Sequence, residues 1–287
     1  MKRGLVAGQA TEEFQRHDDA DVVWRLYYAA RATDIETYRS RVHSSYTEGF
    51  RRLCLPADRL PAPRELNGAL AGSGWQVVLV PGYISVKHLA ALLKERCFPV
   101  ARFVRSMAQI DHSPIPDALH DIVGHLPVLF HEPFTDFVLA WAELVTLAPE
   151  QLDAGFIHEL QERLGYLESK QAAEVLHAPL RRQIDRLQRD IGTHPPGLLM
   201  LSRMYLWTVE FGLLQEDDTP RIFGAGILSS GQEMSNVLDG HTIVEPLGPG
   251  ACCEDIDFTG FQRRIYVASS LAQWREALQT ASRNGSS

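Results

Sequence analysis

Apolar residues recur three and four positions apart over most of the chain, a spacing that predicts amphipathic helices. The pattern is clearest at 86–96, where Pro99 then limits the helix. Farther along, Asp117 follows two prolines and is placed to cap a helix start, and Pro195-Pro196 marks a break between two helical regions. The predicted helical segments span residues 19–54, 86–96, 117–190, 198–214 and 271–281.

Short runs rich in β-branched and aromatic residues, bounded by turn signals, predict strands. Trp75–Val80 follows a Gly-Ser-Gly turn and ends before a Pro-Gly pair. Phe98–Val104 is a second candidate strand, and a further pair is expected around Val244 and at Arg264–Val267. The predicted fold class is therefore mainly α with a few short β-strand pairs.

The length of 287 residues and the absence of internal repeats favour a single globular domain. Residues 1–18 are polar and unpatterned, which predicts a disordered N-terminus. The domain is expected to span 19–281, with a helical insertion at 150–197 and a disordered tail at 282–287.

Charge and apolar content argue against two classes of partner. The formal net charge of −8 disfavours nucleic acid, because phosphate binding requires clustered Lys and Arg. No apolar run approaches the ~18 residues of a membrane span. The four cysteines show no C-x-x-C spacing, which favours reduced thiols and a cytoplasmic location. Heptad-like spacing of apolar residues over 180–191 leaves a monomer and a homodimer as the expected states.

Candidate chemistry begins with two histidines in the motif H-D-I-V-G-H-L-P, His120 and His125. On an ideal α-helix a separation of five turns the second side chain roughly 140° from the first. The pair can therefore share a metal only where the helix ends or loosens, and Gly124 and Pro127 are residues that would end it. From the pair alone, a metal site and two unrelated histidines both stay open.

A third metal ligand is expected to be a carboxylate on another buried element. Glu210 lies within the apolar run L-W-T-V-E-F-G, where a carboxylate must be paired, protonated or bound to metal to offset its desolvation. Pairing with an Arg such as Arg203 is the alternative. Two His and one carboxylate on one face of an octahedron leave three positions open, which suits Fe(II) oxygen chemistry better than the closed site of structural zinc.

Three blocks of this sequence resemble the pterin-dependent aromatic amino acid hydroxylases, the family of phenylalanine, tyrosine and tryptophan hydroxylases. The blocks are S-P-I-P-D-A-L-H-D-I-V-G-H-L-P, Y-L-W-T-V-E-F-G-L and F-G-A-G-I-L-S-S, with weaker matches at Val80–Ser85 and Phe261–Ala268. The resemblance covers about residues 20–275 and implies the family's catalytic domain alone. It implies a monooxygenase that uses Fe(II), O₂ and a tetrahydropterin to hydroxylate the ring of a small-molecule aromatic amino acid.

Carried over position by position, the resemblance implies a role for each matching residue. The catalytic iron ligands would be His120, His125 and Glu210. Arg105 would pair with the substrate carboxylate in the bidentate manner typical of Arg. The remaining substrate-binding residues would be Ser113, Pro116, Asp117, Leu206 and Ser229, with Glu233 helping to hold the Ser229 loop. The pterin would contact Gly82, Tyr83, Ser85, Leu89 and Phe211.

The chain departs from the family pattern in the walls of the expected pocket. Leu206 stands where many members have a Trp packed on the substrate ring, and the aromatic residue shifts to Trp207. Leu89 stands where the pterin usually stacks on a Phe, and Ile256 replaces a late Tyr, with Phe258 two residues on. Phenylalanine is the default substrate, and tryptophan, meta-hydroxylation of phenylalanine and a modified aromatic amino acid stay open.

Two other functions stay open from the sequence. One is a pterin-independent iron oxygenase that uses the same triad on a related aromatic substrate in a specialised pathway. The other is a hydrolase or a structural zinc protein. The five-residue spacing of the histidines argues against the latter, because zincin H-E-x-x-H pairs lie four apart on one helical face.

Overall fold

The computed structural model describes residues 13–82, 84–111, 113, 116–148, 164, 178, 180–182, 197–248, 250–257 and 260–284. These residues form a mainly helical fold with two small sheets, as predicted. The α-helices are α1 Ala20–Thr37, α2 Ser44–Leu53, α3 Pro63–Ala69, α4 Val86–Lys94, α5 Ala118–His120, α6 Glu132–Leu147, α7 Gly197–Tyr205, α8 Ala225–Leu228, α9 Gly231–Leu238 and α10 Leu271–Asn284. Turns of 3-10 helix lie at Arg39–Arg41, Met107–Gln109, Leu126–Phe130 and Ala251–Cys253, and π-helical turns at Asp121–His125 and Leu206–Glu210.

The strands form a two-stranded and a four-stranded sheet. They are β1 Gln76–Val80, β2 Cys97–Ala101, β3 Gly212–Glu216, β4 Thr219–Ile222, β5 Ile243–Pro246 and β6 Arg264–Ala268. β1 and β2 pair in parallel, with Gln76 opposite Cys97 and α4 between them in the chain. The second sheet has the order β4-β3-β6-β5, in which β3 and β4 are antiparallel and the other pairs are parallel. The expected strands at Trp75–Val80 and Phe98–Val104 and the expected C-terminal pair are thus confirmed within a few residues.

A side-chain cap marks the N-terminus of α4, of α5 and of α9. Ser85 accepts a hydrogen bond from the His88 N–H at 3.2 Å, Asp117 one from the His120 N–H at 3.1 Å, and Ser230 one from the Glu233 N–H at 3.3 Å. Each bond satisfies a donor that has no partner within its own helix. The predicted cap at Asp117 is confirmed, and it fixes the start of α5.

The chain from 117 to 129 is buried without interruption. It runs through α5, the first π turn and most of the following 3-10 helix, and α2 packs closely on the latter. A Cβ on Gly49 would lie 1.8 Å from the Pro127 carbonyl oxygen, so only Gly allows this approach. Surrounded by core on all sides, the segment holds its side chains in fixed positions.

Two sequence predictions fail at the edges of elements. The helix expected over 198–214 gives way at Glu210, and Gly212–Glu216 is strand β3. A Cβ on Gly212 would lie 2.3 Å from the Thr208 carbonyl oxygen, so this Gly permits the tight passage from helical turn to strand. The loop expected around Ser229 contains the short helix α8.

The packed chain begins before the expected boundary at residue 19. Phe14 is only 7% exposed, and the Gln15 N–H donates to the Arg102 carbonyl oxygen at 2.8 Å. One apolar residue in a polar stretch gives no periodic pattern, so the sequence shows no sign of this contact. The predicted insertion at 150–197 lies outside the described residues, apart from 164, 178, 180–182 and 197.

Within the described ranges, no helix combines the length and the apolar character that crossing a bilayer requires.

Candidate active site

A π-helical turn brings the two motif histidines together. His120 ends α5, and His125 ends the π turn that follows. Because a π turn is wider than an α turn, with hydrogen bonds from i to i+5, residues five apart come near the same face. The Nε2 atoms of the two rings lie 3.2 Å apart. The helix therefore loosens between the histidines, as a shared metal would require.

Glu210 reaches the same point from the second π turn. Its Oε1 lies 3.1 Å from His125 Nε2, and its Oε2 lies 3.4 Å from His120 Nε2. Donors held about 2.1 Å from one metal ion, at angles of 90–110°, are about 3.0–3.4 Å apart. The three side chains therefore fit a single ion, with a ligand set typical of non-haem Fe(II).

The charges of the triad compensate one another. Burial opposes ionisation of Glu210, but His125 and His120 beside it hold the pKa of this carboxyl well below its ordinary value. Burial likewise acts against a charged His120, yet the adjoining Glu210 raises the pKa of this imidazole above its ordinary value. Without metal, the triad thus favours a proton on His120, which a divalent cation would replace on binding.

Asp121, which the sequence analysis did not single out, is a further carboxylate beside the triad. Its Oδ2 accepts a hydrogen bond from the Ala101 N–H at 2.7 Å, and its Oδ1 lies 4.0 Å from His120 Nε2. Burial raises the pKa of Asp121 to about 6. Its ligand atoms and those of the two histidines all lie within 4.8 Å of one another, but Glu210 lies closer to both rings. Glu210 is therefore the better third ligand.

Arg105 forms a buried bidentate ion pair with Asp117. Arg105 Nε donates to Asp117 Oδ2 at 3.0 Å, and Nη2 donates to Oδ1 at 2.7 Å. Arg105 is 4% exposed and Asp117 0%. Burial acts to lower the pKa of Arg105, but Asp117 raises it above its ordinary range. Since Asp117 also caps α5 at His120, the ion pair fixes the guanidinium relative to the histidine.

Ser229 contacts the triad of His120, His125 and Glu210 directly. Its Oγ lies 2.7 Å from His120 Nδ1, the ring nitrogen remote from the other two donors. Its carbonyl oxygen accepts a hydrogen bond from the Tyr27 hydroxyl at 2.6 Å, and the Tyr27 ring also lies 4.9 Å from Cζ of Arg105. Tyr27 fits the apolar pattern of the helical segment predicted at 19–54, so the sequence shows no sign of this role. The structure therefore places Ser229 behind His120 as well as at the wall of the cavity.

Ser229→Ala is expected to weaken metal binding. The hydroxyl orients His120 through Nδ1, and losing such support of a ligand typically costs about 10–100-fold in metal affinity. By contrast, His125 Nδ1 has no hydrogen-bond partner among the described residues, and Phe98 packs near its ring at 5.0 Å. Titration with Fe(II) or Co(II) would measure the affinity. An unchanged affinity, compared with Ser235→Ala on the exposed face of α9, would contradict this role.

The triad opens into a cavity of about 330 Å³, a volume suited to small ligands. Most of the residues predicted for substrate and pterin line it: Gly82, Leu89, Arg105, Ser113, Pro116, Leu206, Phe211 and Ser229. Asp117 lies behind Arg105, not at the cavity surface. Ser85, a predicted pterin contact, is not among the lining residues, because its hydroxyl caps α4. Tyr83 lies outside the described residues.

Sequence reasoning passed over several residues of the cavity wall. Ser202 and Leu206 lie one helical turn apart and both line the cavity, as do Tyr205, Ile84 and Trp141. Trp207, adjacent in sequence to Leu206, lies elsewhere: its Nε1 donates to the Glu254 carbonyl oxygen at 3.1 Å and its ring packs edge-on against Tyr266 at 5.2 Å. The helical repeat that makes Leu206 face the cavity could have identified Ser202 as well.

The sequence matches the family model of the biopterin-dependent aromatic amino acid hydroxylases over residues 7–148 and 157–284. A phenylalanine-4-hydroxylase from Vibrio cholerae is 32% identical over 196 residues, which are 68% of this chain and 52% of the relative. A second, from Mesorhizobium japonicum, is 28% identical over 280 residues, covering 94% of this chain and 82% of the relative. The chain thus spans about half of the first relative and most of the second.

Solved structures of phenylalanine hydroxylases share the fold of this chain. Phenylalanine hydroxylase from Chromobacterium violaceum, with bound iron(III) and oxidised 7,8-dihydrobiopterin, matches with a TM-score of 0.72 at 25% identity, covering 96% of this chain and 87% of that one. The apo enzyme from Colwellia psychrerythraea 34H matches with a TM-score of 0.70 at 22% identity, covering 98% and 93%. Because the family model matches most of the length of this chain, the chain belongs to the biopterin-dependent aromatic amino acid hydroxylases.

Proposed function

We propose that this protein binds Fe(II) through His120, His125 and Glu210 and uses O₂ and a tetrahydropterin to hydroxylate the ring of an aromatic amino acid. The observation that most directly supports this function is the geometry of the triad. The two histidine Nε2 atoms lie 3.2 Å apart, and each lies 3.1–3.4 Å from one oxygen of Glu210, at a cavity that Arg105 also lines. The family match favours the pterin-dependent function over a pterin-independent oxygenase.

Each part of the cavity has a distinct task in this reaction. When bound, the iron and the reduced pterin supply the activation of O₂. Arg105 binds the carboxylate of the substrate, and Asp117 holds the guanidinium in the orientation this requires. Leu206 and Ile256 line the wall where the aromatic ring packs. Gly226 admits the Phe211 ring into the wall, since a Cβ there would lie 2.7 Å from Phe211 Cε1.

The direct test is reconstitution of the protein with Fe(II) under anaerobic conditions, followed by exposure to O₂. Products from phenylalanine, tyrosine and tryptophan would be identified by mass spectrometry, with and without tetrahydropterin. A hydroxylated amino acid that forms only with both iron and pterin is the expected result. Equal product without pterin would favour the pterin-independent oxygenase, and no product from any aromatic amino acid would contradict the proposal.

The wall beside the ring favours a substrate larger than phenylalanine. Leu206 and Ile256 are both aliphatic, and Trp207 is held against Tyr266 and cannot replace a missing indole wall. An aromatic wall contributes about 0.5–1.5 kcal/mol through ring contacts beyond its buried area. A phenyl ring therefore loses contacts here, and a larger or ring-substituted aromatic amino acid gains room.

Leu206→Trp is expected to shift preference toward phenylalanine by roughly tenfold in the ratio of kcat/KM values. The added indole fills the volume beside the ring, which excludes larger substrates and gives a phenyl ring a flat surface to pack on. The measurement compares phenylalanine, tryptophan and substituted phenylalanines in both proteins, with Leu206→Met as a control of similar size. Wild-type protein that favours phenylalanine over every larger ring, with no change on Leu206→Trp, would contradict the prediction.

The location and assembly of the protein belong to the same proposal. We infer a cytoplasmic protein, on the grounds that none of the four cysteines forms a disulfide bond and that their spacing suits reduced thiols. A monomer and a homodimer remain the two predicted states.

A further inference from the structure

Glu233 carries a buried carboxyl oxygen that lacks a partner. The residue lies in the first turn of α9, is 6% exposed and lines the cavity. Its Oε1 accepts a hydrogen bond from the Gln262 N–H at 3.0 Å. Its Oε2 has no hydrogen-bond partner among the described residues. A buried acceptor without a donor is unfavourable, so a donor supplied by a ligand would bind well here.

The other cavity carboxylates are placed differently. Asp257 Oδ1 accepts a hydrogen bond from the Gly260 N–H at 3.0 Å, and Asp121 Oδ2 one from the Ala101 N–H at 2.7 Å. Glu210 lies against the two histidines, and Asp111 is exposed at the rim. Burial raises the pKa of Glu233 to about 7, as expected of a carboxyl with no cation beside it. Among the described residues that line the cavity, Glu233 is therefore the buried acid with an oxygen that lacks a hydrogen-bond partner.

The balance of charged residues that line the cavity also favours the binding of a cation. Among the described lining residues, Arg105 is the one Arg or Lys, and Asp117 already neutralises it. A second anion, the substrate carboxylate, would therefore add net negative charge to a cavity rich in acids. An α-amino acid carries its own compensating ammonium group one carbon away. The cavity must present an acceptor for that group near Arg105.

Arg105 and Glu233 line the same cavity and are connected through Tyr27 and the 229–230 segment. The Arg105 guanidinium lies over the Tyr27 ring at 4.9 Å, and the Tyr27 hydroxyl donates to the Ser229 carbonyl oxygen at 2.6 Å. Ser230 then caps the helix turn that carries Glu233. The segment 229–230 thus contacts Tyr27, on which the Arg105 guanidinium lies, and also caps the helix turn that carries Glu233.

We propose that Glu233 receives the α-ammonium group of the substrate through its free Oε2, while Arg105 binds the α-carboxylate. This inference rests on the proposed function, since it concerns the amino acid bound at that site. It makes Glu233 a specificity-determining residue that selects amino acids over carboxylic acids bearing the same ring. No step of the chemistry changes.

The test compares ligands that differ only in the ammonium group. Calorimetry on Fe(II)-loaded protein under anaerobic conditions would give the Kd of L-phenylalanine and of 3-phenylpropanoate, and of L-tryptophan and indole-3-propanoate. Glu233→Gln keeps the size and an acceptor for the Gln262 N–H but removes the charge. The variant is expected to bind the amino acids about 10–100-fold more weakly and the des-amino acids within about twofold of wild type. Glu254→Gln, which removes an exposed carboxylate that does not line the cavity, serves as the charge control.

Each alternative outcome has a distinct meaning. A structural role would weaken both members of a ligand pair and lower the melting temperature, and that result would overturn the proposal. So would wild-type protein that binds each amino acid no more tightly than its des-amino counterpart. Pterin-dependent hydroxylation by wild type is scored separately. If hydroxylation persists while the binding ratios are unchanged, the ammonium site alone is wrong; if no aromatic amino acid is hydroxylated, the proposed function fails.

Discussion

Replacing His120, His125 or Glu210 with Ala is expected to lower turnover by about 1000-fold or more and to leave the protein with little iron. Each residue supplies one side chain of the triad, in which the two Nε2 atoms lie 3.2 Å apart and each lies 3.1–3.4 Å from an oxygen of Glu210. The loss of any one of them leaves an incomplete facial set of ligands. The variants should still fold. Removing Glu210 relieves the burial of a carboxylate, and removing either histidine still leaves Glu210 with the other imidazole as a partner.

Iron content by mass spectrometry and turnover with saturating tetrahydropterin would check this expectation. Glu210→Gln is the sharper variant, because it retains the size of the side chain and one neutral oxygen. His241→Ala is the matched control, since His241 is exposed beyond α9, away from the cavity. Wild-type iron content and activity in any one of the three Ala variants would remove that residue from the ligand set.

The backbone at the two histidines could be predicted from the sequence only in part. Two histidines five apart require a loosened helix if they share a metal, and the structure has a π turn at that position. Gly124 suggested a helix end, but its actual task is close packing. A Cβ there would lie 2.9 Å from the Ala225 carbonyl oxygen on α8. A pattern of residue types reveals that the backbone must deviate, but tertiary packing selects the kind of deviation.

Periodicity fails where helix and strand share an apolar composition. Residues 212–214 are buried in β3 much as they would be in a buried helix, so the predicted helix runs on to Leu214. The information that separates the two states lies in pairing with β6, whose residues come about fifty positions later. No local window contains that contact.

Side chains that serve the site from a distance were the hardest to identify. Tyr27 fits the apolar face of α1, yet its hydroxyl bonds to Ser229, 202 residues away. Asp121 adjoins a motif histidine, and the Ala101 N–H, which donates to its Oδ2 at 2.7 Å, helps to offset the burial of the carboxylate. Core packing and support of a site give the same sequence signal, since both require burial.

Arg105→Lys is expected to raise KM for the amino acid substrate by about 10–100-fold with iron content unchanged. Arg105 uses Nε and Nη2 on Asp117, and Nη1 also donates to the Ile110 carbonyl oxygen at 3.2 Å. Its planar fork can hold these partners and still present N–H groups to a carboxylate in the cavity. A Lys ammonium is one point charge and cannot keep the ion pair with Asp117 while it binds substrate in the same geometry.

Steady-state kinetics with saturating pterin would separate KM from kcat, and Arg102→Lys outside the cavity controls for a general effect of the exchange. Asp117→Asn retains an oxygen to cap α5 but weakens its grip on the guanidinium, so its defect should resemble a milder Arg105→Lys. Because both act on one contact, the double variant should be less impaired than the product of the two single effects. An unchanged KM in Arg105→Lys would remove Arg105 from the substrate site, and fully independent effects would separate Asp117 from it.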